Sequence, residues 1–306
     1  MNFGYITVVQ GSNSSKFPMC TSLLIDDHDT VAVIDPGAGP EALFSAMGNR
    51  KADIVVNTHY HFDHISGNCL FPRAQVYMNP AEVDVFSDLG RVGDWLGIRE
   101  VYGDQGVADW IRAISEPDTA HTPYSPAHRH EWWLSTRSRA RSYVYDRVWE
   151  IGKTRMIMVH APGHTEGFCC PYFPDEGVVY TGDIDLTGFG PWYCGSDGNI
   201  EQFLLSAQRV ARLDADWFVT GHQAGVVSRS DFLRRLEQFL EVIHDRQKRL
   251  TAWLEAGILP EDVPNHGLFY PPSYQADPWI AMWERIGVRK HIELLRQVVP
   301  GVVKQM

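Results

Sequence analysis

Four metal-binding side chains fall within six residues of the stretch Asn57-Thr58-His59-Tyr60-His61-Phe62-Asp63-His64-Ile65-Ser66-Gly67, directly after the apolar run Ile54-Val55-Val56. A β-branched run of that kind reads as a buried strand. His59 and His61 are alternate residues. Alternate side chains of an extended chain point the same way, so these two imidazoles can converge on one cation. Asp63 and His64 are adjacent, which lets the chain turn and aim them at a second cation beside the first. Histidines in a lone His-x-His often only decorate a loop. The full His-x-His-x-Asp-His after a strand reads as part of a metal site.

The remaining ligands must come from elsewhere in the chain, and the same design recurs. A strand over residues 155–160 leads into Ala161-Pro162-Gly163-His164-Thr165-Glu166-Gly167, Val178-Val179-Tyr180 into Thr181-Gly182-Asp183, and Trp217-Phe218-Val219 into Thr220-Gly221-His222. Each time an apolar strand stops at a short turn that offers His or Asp. One such residue is an ordinary turn former; their repetition at strand ends points to one shared site. Asp35 follows the strand Val31–Ile34 in the same way. Its carboxylate either caps the turn through local backbone hydrogen bonds or orients a metal ligand from behind.

Other segments build the frame. Residues 5–10, 21–26, 75–78 and 143–150 read as strands, with a hairpin turn at Asp27-His28-Asp29. Residues 40–47 and 199–213 read as helices, the second with Ile200, Phe203, Leu204, Ala207, Val210 and Ala211 on one stripe. Residues 83–142 change character: Trp95, Trp110, Trp132 and Trp133 stand among Gly and Pro breaks, with a helical portion at 107–114. This reads as an insertion lying over the site, whose aromatics either line a substrate pocket or give it a small core of its own. His121, His128 and His130 lack nearby acidic partners and do not read as a second metal site. Arg137, Arg139 and Arg141 read as a solvated face. From 230 onward the chain is helical, with Gly257 as a helix stop, a Pro-rich connection over 259–274 and a last helix over 278–299.

A chain of 306 residues can form one large domain or a domain with an appendage. The organisation expected is a catalytic domain over 1–229 and a helical region over 230–306. No apolar stretch is long enough to span a bilayer. Residues 1–5 carry neither a basic leader nor a long apolar region, so the expectation is a cytoplasmic protein without a membrane partner. Cys20, Cys69, Cys169, Cys170 and Cys194 are odd in number and lack Cys-x-x-Cys spacing, which suits reduced packing residues. The formal net charge of -11 argues against a nucleic-acid partner, because such binding relies on a basic surface. A small-molecule substrate is expected instead.

At His59 to His64, His164, Asp183 and His222 the sequence resembles the metallo-β-lactamase superfamily. The resemblance covers about residues 1–225 apart from the insertion. It implies an α/β fold, a four-layer αβ/βα sandwich of two mixed sheets, here with an aromatic-rich insertion and a C-terminal helical extension. It also implies two divalent metal ions, zinc first, with iron and manganese compatible with the same donors. By this resemblance His59, His61 and His164 hold one ion, Asp63, His64 and His222 hold the other, and Asp183 bridges them. Asp35 would support the site from behind. The implied activity is attack of a metal-bridging hydroxide on a small ester, thioester or lactone, with Asp63 relaying a proton.

Departures within the superfamily narrow the choice. The β-lactamases proper have Cys or Ser where Asp183 stands, and flavodiiron relatives have Glu where His61 stands. The ligand set resembles the glyoxalase II, lactonase and acyl-thioester hydrolase branch. A mononuclear iron persulfide dioxygenase and a phosphodiesterase are the alternatives. Phe189, Trp192 and Tyr193 follow the bridging Asp closely and are expected to touch substrate, whereas Tyr60 and Phe62 can pack inward. The C-terminal helices could help bind substrate, or serve packing or a homo-oligomer.

Overall fold

The computed structural model describes residues 1–115 and 140–298. A first sheet of seven strands has the order β1 (Asn2–Phe3), β2 (Ile6–Val9), β3 (Ser22–Asp26), β4 (Val31–Ile34), β5 (Ile54–Val56), β6 (Gln75–Met78) and β7 (Arg141–Ser142). A second of six comprises β8 (Val148–Ile151), β9 (Thr154–His160), β10 (Cys169–Phe173), β11 (Val178–Gly182), β12 (Trp217–Thr220) and β13 (Val226–Ser228), laid side by side from β13 to β8. Both sheets are mixed. Strands β4 to β7 run parallel, as do β11 and β12, while the other pairs are antiparallel.

Period-two alternation decides the layering. Leu23, Ile25, Ala32 and Ile34 turn toward the second sheet and meet Met156, Met158, Phe173, Tyr180 and Val219. Their neighbours Leu24, Val31 and Val33 turn outward onto Leu43 and Met47 of helix α1 (Pro40–Met47), which Pro40 opens. On the far face of the second sheet, Phe168, Val179 and Phe218 are covered by two later helices described below. Helix, sheet, sheet and helix thus form the four-layer sandwich.

The described part of the insertion is helical. Helix α2 (Leu89–Leu96) is capped by Asp88 and stopped by Gly97 at φ +94. Helix α3 (Ile98–Ser115) breaks at Gly103. The covering helices are α4 (Ile200–Ala211), capped by the Asn199 side chain on the Gln202 amide, and α5 (Arg229–Glu255), capped by Ser228. Helix α6 (Pro278–Val298) comes last. Expectations about the tryptophans and histidines between 121 and 133, and about Arg137 and Arg139, lie outside the described residues.

Two readings change. Residues 143–150 do not form one strand: β7 pairs with β6, the chain turns at Asp146 with φ +56, and β8 then pairs with β9. That stretch crosses from one sheet to the other, and a run of apolar residues does not record the crossing. Among the described residues, the insertion shares its core with the C-terminal region. Val92, Leu96, Ile98 and Trp110 share one apolar cluster with Leu250, Leu268, Trp283 and Ile286 of the C-terminal region. The cluster also takes in Tyr60 and Phe62 from the histidine loop, both buried inward.

Candidate metal centre

Strand directions bring the candidate ligands to one edge. Strands β4 and β5 are parallel, so Asp35 and His59 leave the first sheet on the same side. Strands β9 and β11 are each antiparallel to β10, and β12 is parallel to β11. His164, Asp183 and His222 therefore leave the second sheet together at its carboxyl-terminal ends, where α/β sheets place ligand sites.

The structure brings all seven candidate ligands together. His59, His61, His164 and Asp183 form one group and Asp63, His64 and His222 a second, with the ligand atoms of each group within 4.8 Å of one another. Asp183 faces both groups. Its Oδ2 lies 2.8 Å from His164 Nε2 and 3.8 Å from His59 Nε2. Its Oδ1 lies 2.9 Å from His64 Nε2 and 3.5 Å from His222 Nε2. Asp63 Oδ2 is 3.3 Å from His222 Nε2 and 3.7 Å from His64 Nε2. His61 turns Nδ1 to within 2.8 Å of His164 Nε2.

The fit to divalent cations rests on atoms left unsatisfied. His64 Nε2 and Asp183 Oδ1 are buried, close to one another and without a hydrogen bond. Buried polar atoms in a folded protein nearly always have partners, and converging imidazole and carboxylate lone pairs suit a cation.

The far side of each ring is held. Asp35 Oδ2 accepts from Nδ1 of His64 at 2.8 Å and from the Thr58 hydroxyl at 2.6 Å, and its Oδ1 accepts from the Thr58 amide at 2.8 Å. Thr58 Oγ1 in turn lies 3.0 Å from Nδ1 of His59. Asp35 also meets the distance test for a group with His59 and His64, but these bonds occupy its oxygens and place it behind the ligands. Its backbone is left-handed at φ +45, a strained state for a residue with a Cβ. Nδ1 of His164 donates to the Trp192 carbonyl at 2.8 Å. Nδ1 of His222 donates to the carbonyls of Ser15 and Met19 at 2.9 and 3.0 Å. Ser15 closes a left-handed turn with Asn13 and Ser14, and its hydroxyl bonds the Gly11 amide and Thr21.

Glycine is required where the two turns meet. A Cβ on Gly37 would stand 1.7 Å from the Asp63 carbonyl oxygen, and one on Gly67 1.9 Å from that of Pro36. The Asp35 turn and the histidine turn therefore touch backbone to backbone.

The charges of the site follow from its burial. Burial, with the neighbouring imidazoles adding to it, drives His61 down to about 3 and His59 well below its usual value, which keeps their lone pairs free to ligate. Against burial, the Asp183 and Asp63 carboxylates raise His64 and His222 well above their usual value, so at those two rings a cation would take the place of a proton on Nε2. Burial alone would raise the Asp183 carboxyl, but His64, His164 and His222 hold it well below the usual carboxylate range.

The three aromatic candidates part company. Trp192 sets its ring 5.1 Å from that of His61 and 5.5 Å from that of His164, with Nε1 donating to the Tyr270 hydroxyl at 2.8 Å. Phe189 lies at the surface, 37% exposed, beside Tyr270. Tyr193 is fully buried and its hydroxyl engages His291 and Arg246 of the C-terminal helices. Residues that sequence reasoning passed over are Thr58, legible as a hydroxyl beside the first His, and Glu82, Asp197, Arg246 and Lys290, for which spacing gave no signal.

The metallo-beta-lactamase superfamily model matches residues 16–101 and 105–222, and the chain belongs to that superfamily. It is similar to the acyl-coenzyme A thioesterase MBLAC2 of Homo sapiens, 26% identical over 180 residues, covering 54% of this chain and 58% of that protein. It is also similar to the hydroxyacylglutathione hydrolase of Thermosynechococcus vestitus, 27% identical over 192 residues, covering 60% and 54% respectively. The chain thus spans little more than half the length of either relative. A metallo-beta-lactamase family protein of Thermus thermophilus shares the fold with a TM-score of 0.67 at 20% identity, covering 96% of this chain and 94% of that one. Among the described residues no helix is long and apolar enough to cross a membrane.

Proposed function

We propose that this chain hydrolyses a small carboxylic thioester at a pair of divalent cations, zinc first. The observation that carries the reading is the split of the Asp183 carboxylate, one oxygen toward His59 and His164 and the other toward His64 and His222. In this reading His59, His61 and His164 hold one cation, Asp63, His64 and His222 the other, and Asp183 is shared. Both named relatives act on acyl groups carried by coenzyme A or glutathione, which are thiols.

Cations held there would lower the pKa of bound water to about 7 and polarise a carbonyl oxygen. The chain's own side chains do the rest. Asp35, Thr58 and the carbonyls of Trp192, Ser15 and Met19 fix the ring orientations of the ligands. Trp192, braced by Tyr270, gives an apolar wall beside His61 for the acyl group. The Asp63 carboxylate carries a proton to the departing thiolate.

The test is thiol release from a model acyl thioester by zinc-loaded protein, with loss of turnover on chelation and on Asp183→Ala. Full turnover by Asp183→Ala refutes the assignment. One iron per chain with oxygen consumption would favour the dioxygenase reading instead.

A further inference from the structure

Segment 189–198 follows Asp183 closely and braces the loop that carries His164. The Trp192 carbonyl accepts from Nδ1 of His164 at 2.8 Å. The Asp197 carboxylate accepts from the Glu166 amide at 3.1 Å and from the Tyr60 hydroxyl at 3.4 Å. Whatever fixes this segment therefore fixes His164.

Two buried cations from the C-terminal helices fasten it. Arg246 of α5, 2% exposed, donates Nη1 to the Pro191 carbonyl and Nη2 to the Phe189 carbonyl, each at 2.6 Å, with the Tyr193 hydroxyl at 3.3 Å from Nη1. Its guanidinium lies over the Phe269 ring at 4.1 Å. Lys290 of α6, 8% exposed, donates Nζ to the carbonyls of Gly195 and Gly198, with that of Ser196 at 3.4 Å. Among the described residues neither cation forms a salt bridge; their donors go to main-chain oxygens of one segment. A buried charge is costly to desolvate, and an apolar side chain would fill either place with less penalty. What an apolar residue could not do is hold several carbonyls in fixed positions.

We infer that Arg246 and Lys290 are positioning residues of the metal centre: by clamping segment 189–198 they set the Nδ1 partner of His164, and with it the cation affinity of the His59, His61, His164 and Asp183 group. This rests on the reading above that the cluster holds two cations. It assigns the C-terminal helices a part in the centre itself.

The experiment titrates zinc alone into the metal-stripped full chain against a competing chromogenic chelator. It compares wild type, Arg246→Lys, Lys290→Met and Leu236→Ala. Leu236 lies on α5 in the cluster against the second sheet and serves as a packing control. Wild type is expected to bind two zinc ions. Arg246→Lys and Lys290→Met should each weaken one of the two by about 10- to 100-fold and leave the other unchanged. Leu236→Ala should lower the unfolding temperature and leave both affinities as in wild type. Wild-type affinities in both clamp variants, equal weakening in Leu236→Ala, or failure of both clamp variants to fold overturns the inference. Fewer than two zinc ions on wild type overturns the underlying two-cation reading instead.

Discussion

Nδ1 of His64 lies 2.8 Å from Oδ2 of Asp35, and both side chains are fully buried. The bond leaves Nε2 of the imidazole turned to Asp183, the orientation a ligand requires. Asp35→Asn keeps the shape and removes the charge that favours this arrangement. It should weaken zinc binding by about 10- to 100-fold, read by the same chelator competition. Unchanged affinity would leave Asp35 a turn former only.

Gly67 should tolerate no side chain. The Cβ of Gly67→Ala would press on the Pro36 carbonyl, which is backbone and cannot swing away. A loss of about 3 kcal/mol is expected, at the upper end for overpacking, seen as a lower urea midpoint at unchanged slope. The same variant should bind zinc more weakly, because His64 moves with its turn. A midpoint equal to that of wild type contradicts the interlocked turns.

Glu82 gives a pH dependence. It is fully buried, with Oε1 accepting from the Thr165 hydroxyl at 2.5 Å and the Gly167 amide at 3.2 Å, on either side of Glu166. Burial, and after it the nearby Asp197, push its carboxyl up to about 8 from 4.5. Between those values the folded chain keeps a proton that the unfolded chain has released. Its contribution to stability therefore falls as pH rises through that window and levels off above it. Glu82→Gln should flatten the decline in unfolding temperature between about pH 5 and about pH 8.5. Parallel curves for the two proteins would show that Glu82 does not titrate there.

Trp192 and Tyr193 are neighbours with opposite expected phenotypes. Trp192→Ala removes the wall beside His61 but keeps the carbonyl that holds His164. It should raise KM about tenfold or more while two zinc ions remain bound. Tyr193→Phe leaves buried His291 and Arg246 short of a partner and should cost about 1–3 kcal/mol of stability with KM unchanged. A shift in KM for Tyr193→Phe would return that residue to the substrate.

Those features written locally were legible in the sequence. Strand ends announce themselves because apolar alternation stops abruptly at Gly, Pro, Asp or His, and the ligands sit at those stops. Helix α1 was readable from Pro40 and its apolar spacing. Features that depend on distant neighbours were not. Strand β10 carries Pro171 at its centre, which argues against a strand, and β13 is three residues with no ligand at its end. Nothing local indicates that residues after 83 share a core with residues after 250. Nothing in the spacing around Arg246 and Lys290 foretells their burial, which is decided by carbonyls some fifty and ninety residues earlier. Tyr193 stood near enough to Asp183 to suggest a place at the site, but its ring is buried against partners some fifty and a hundred residues later, Arg246 and His291.

The imidazoles of His164 and His222 are steadied by main-chain oxygens of Trp192, Ser15 and Met19. A peptide oxygen is indifferent to the side chain its residue bears. Positions 19 and 192 can therefore exchange their side chains without detuning the centre, provided the backbone path is kept, whereas Ser15 is tied through its hydroxyl to Gly11 and Thr21. Selectivity along this rim is free to drift while the reactive heart stays constant, which makes residue 192 the natural first position to randomise in retargeting the molecule.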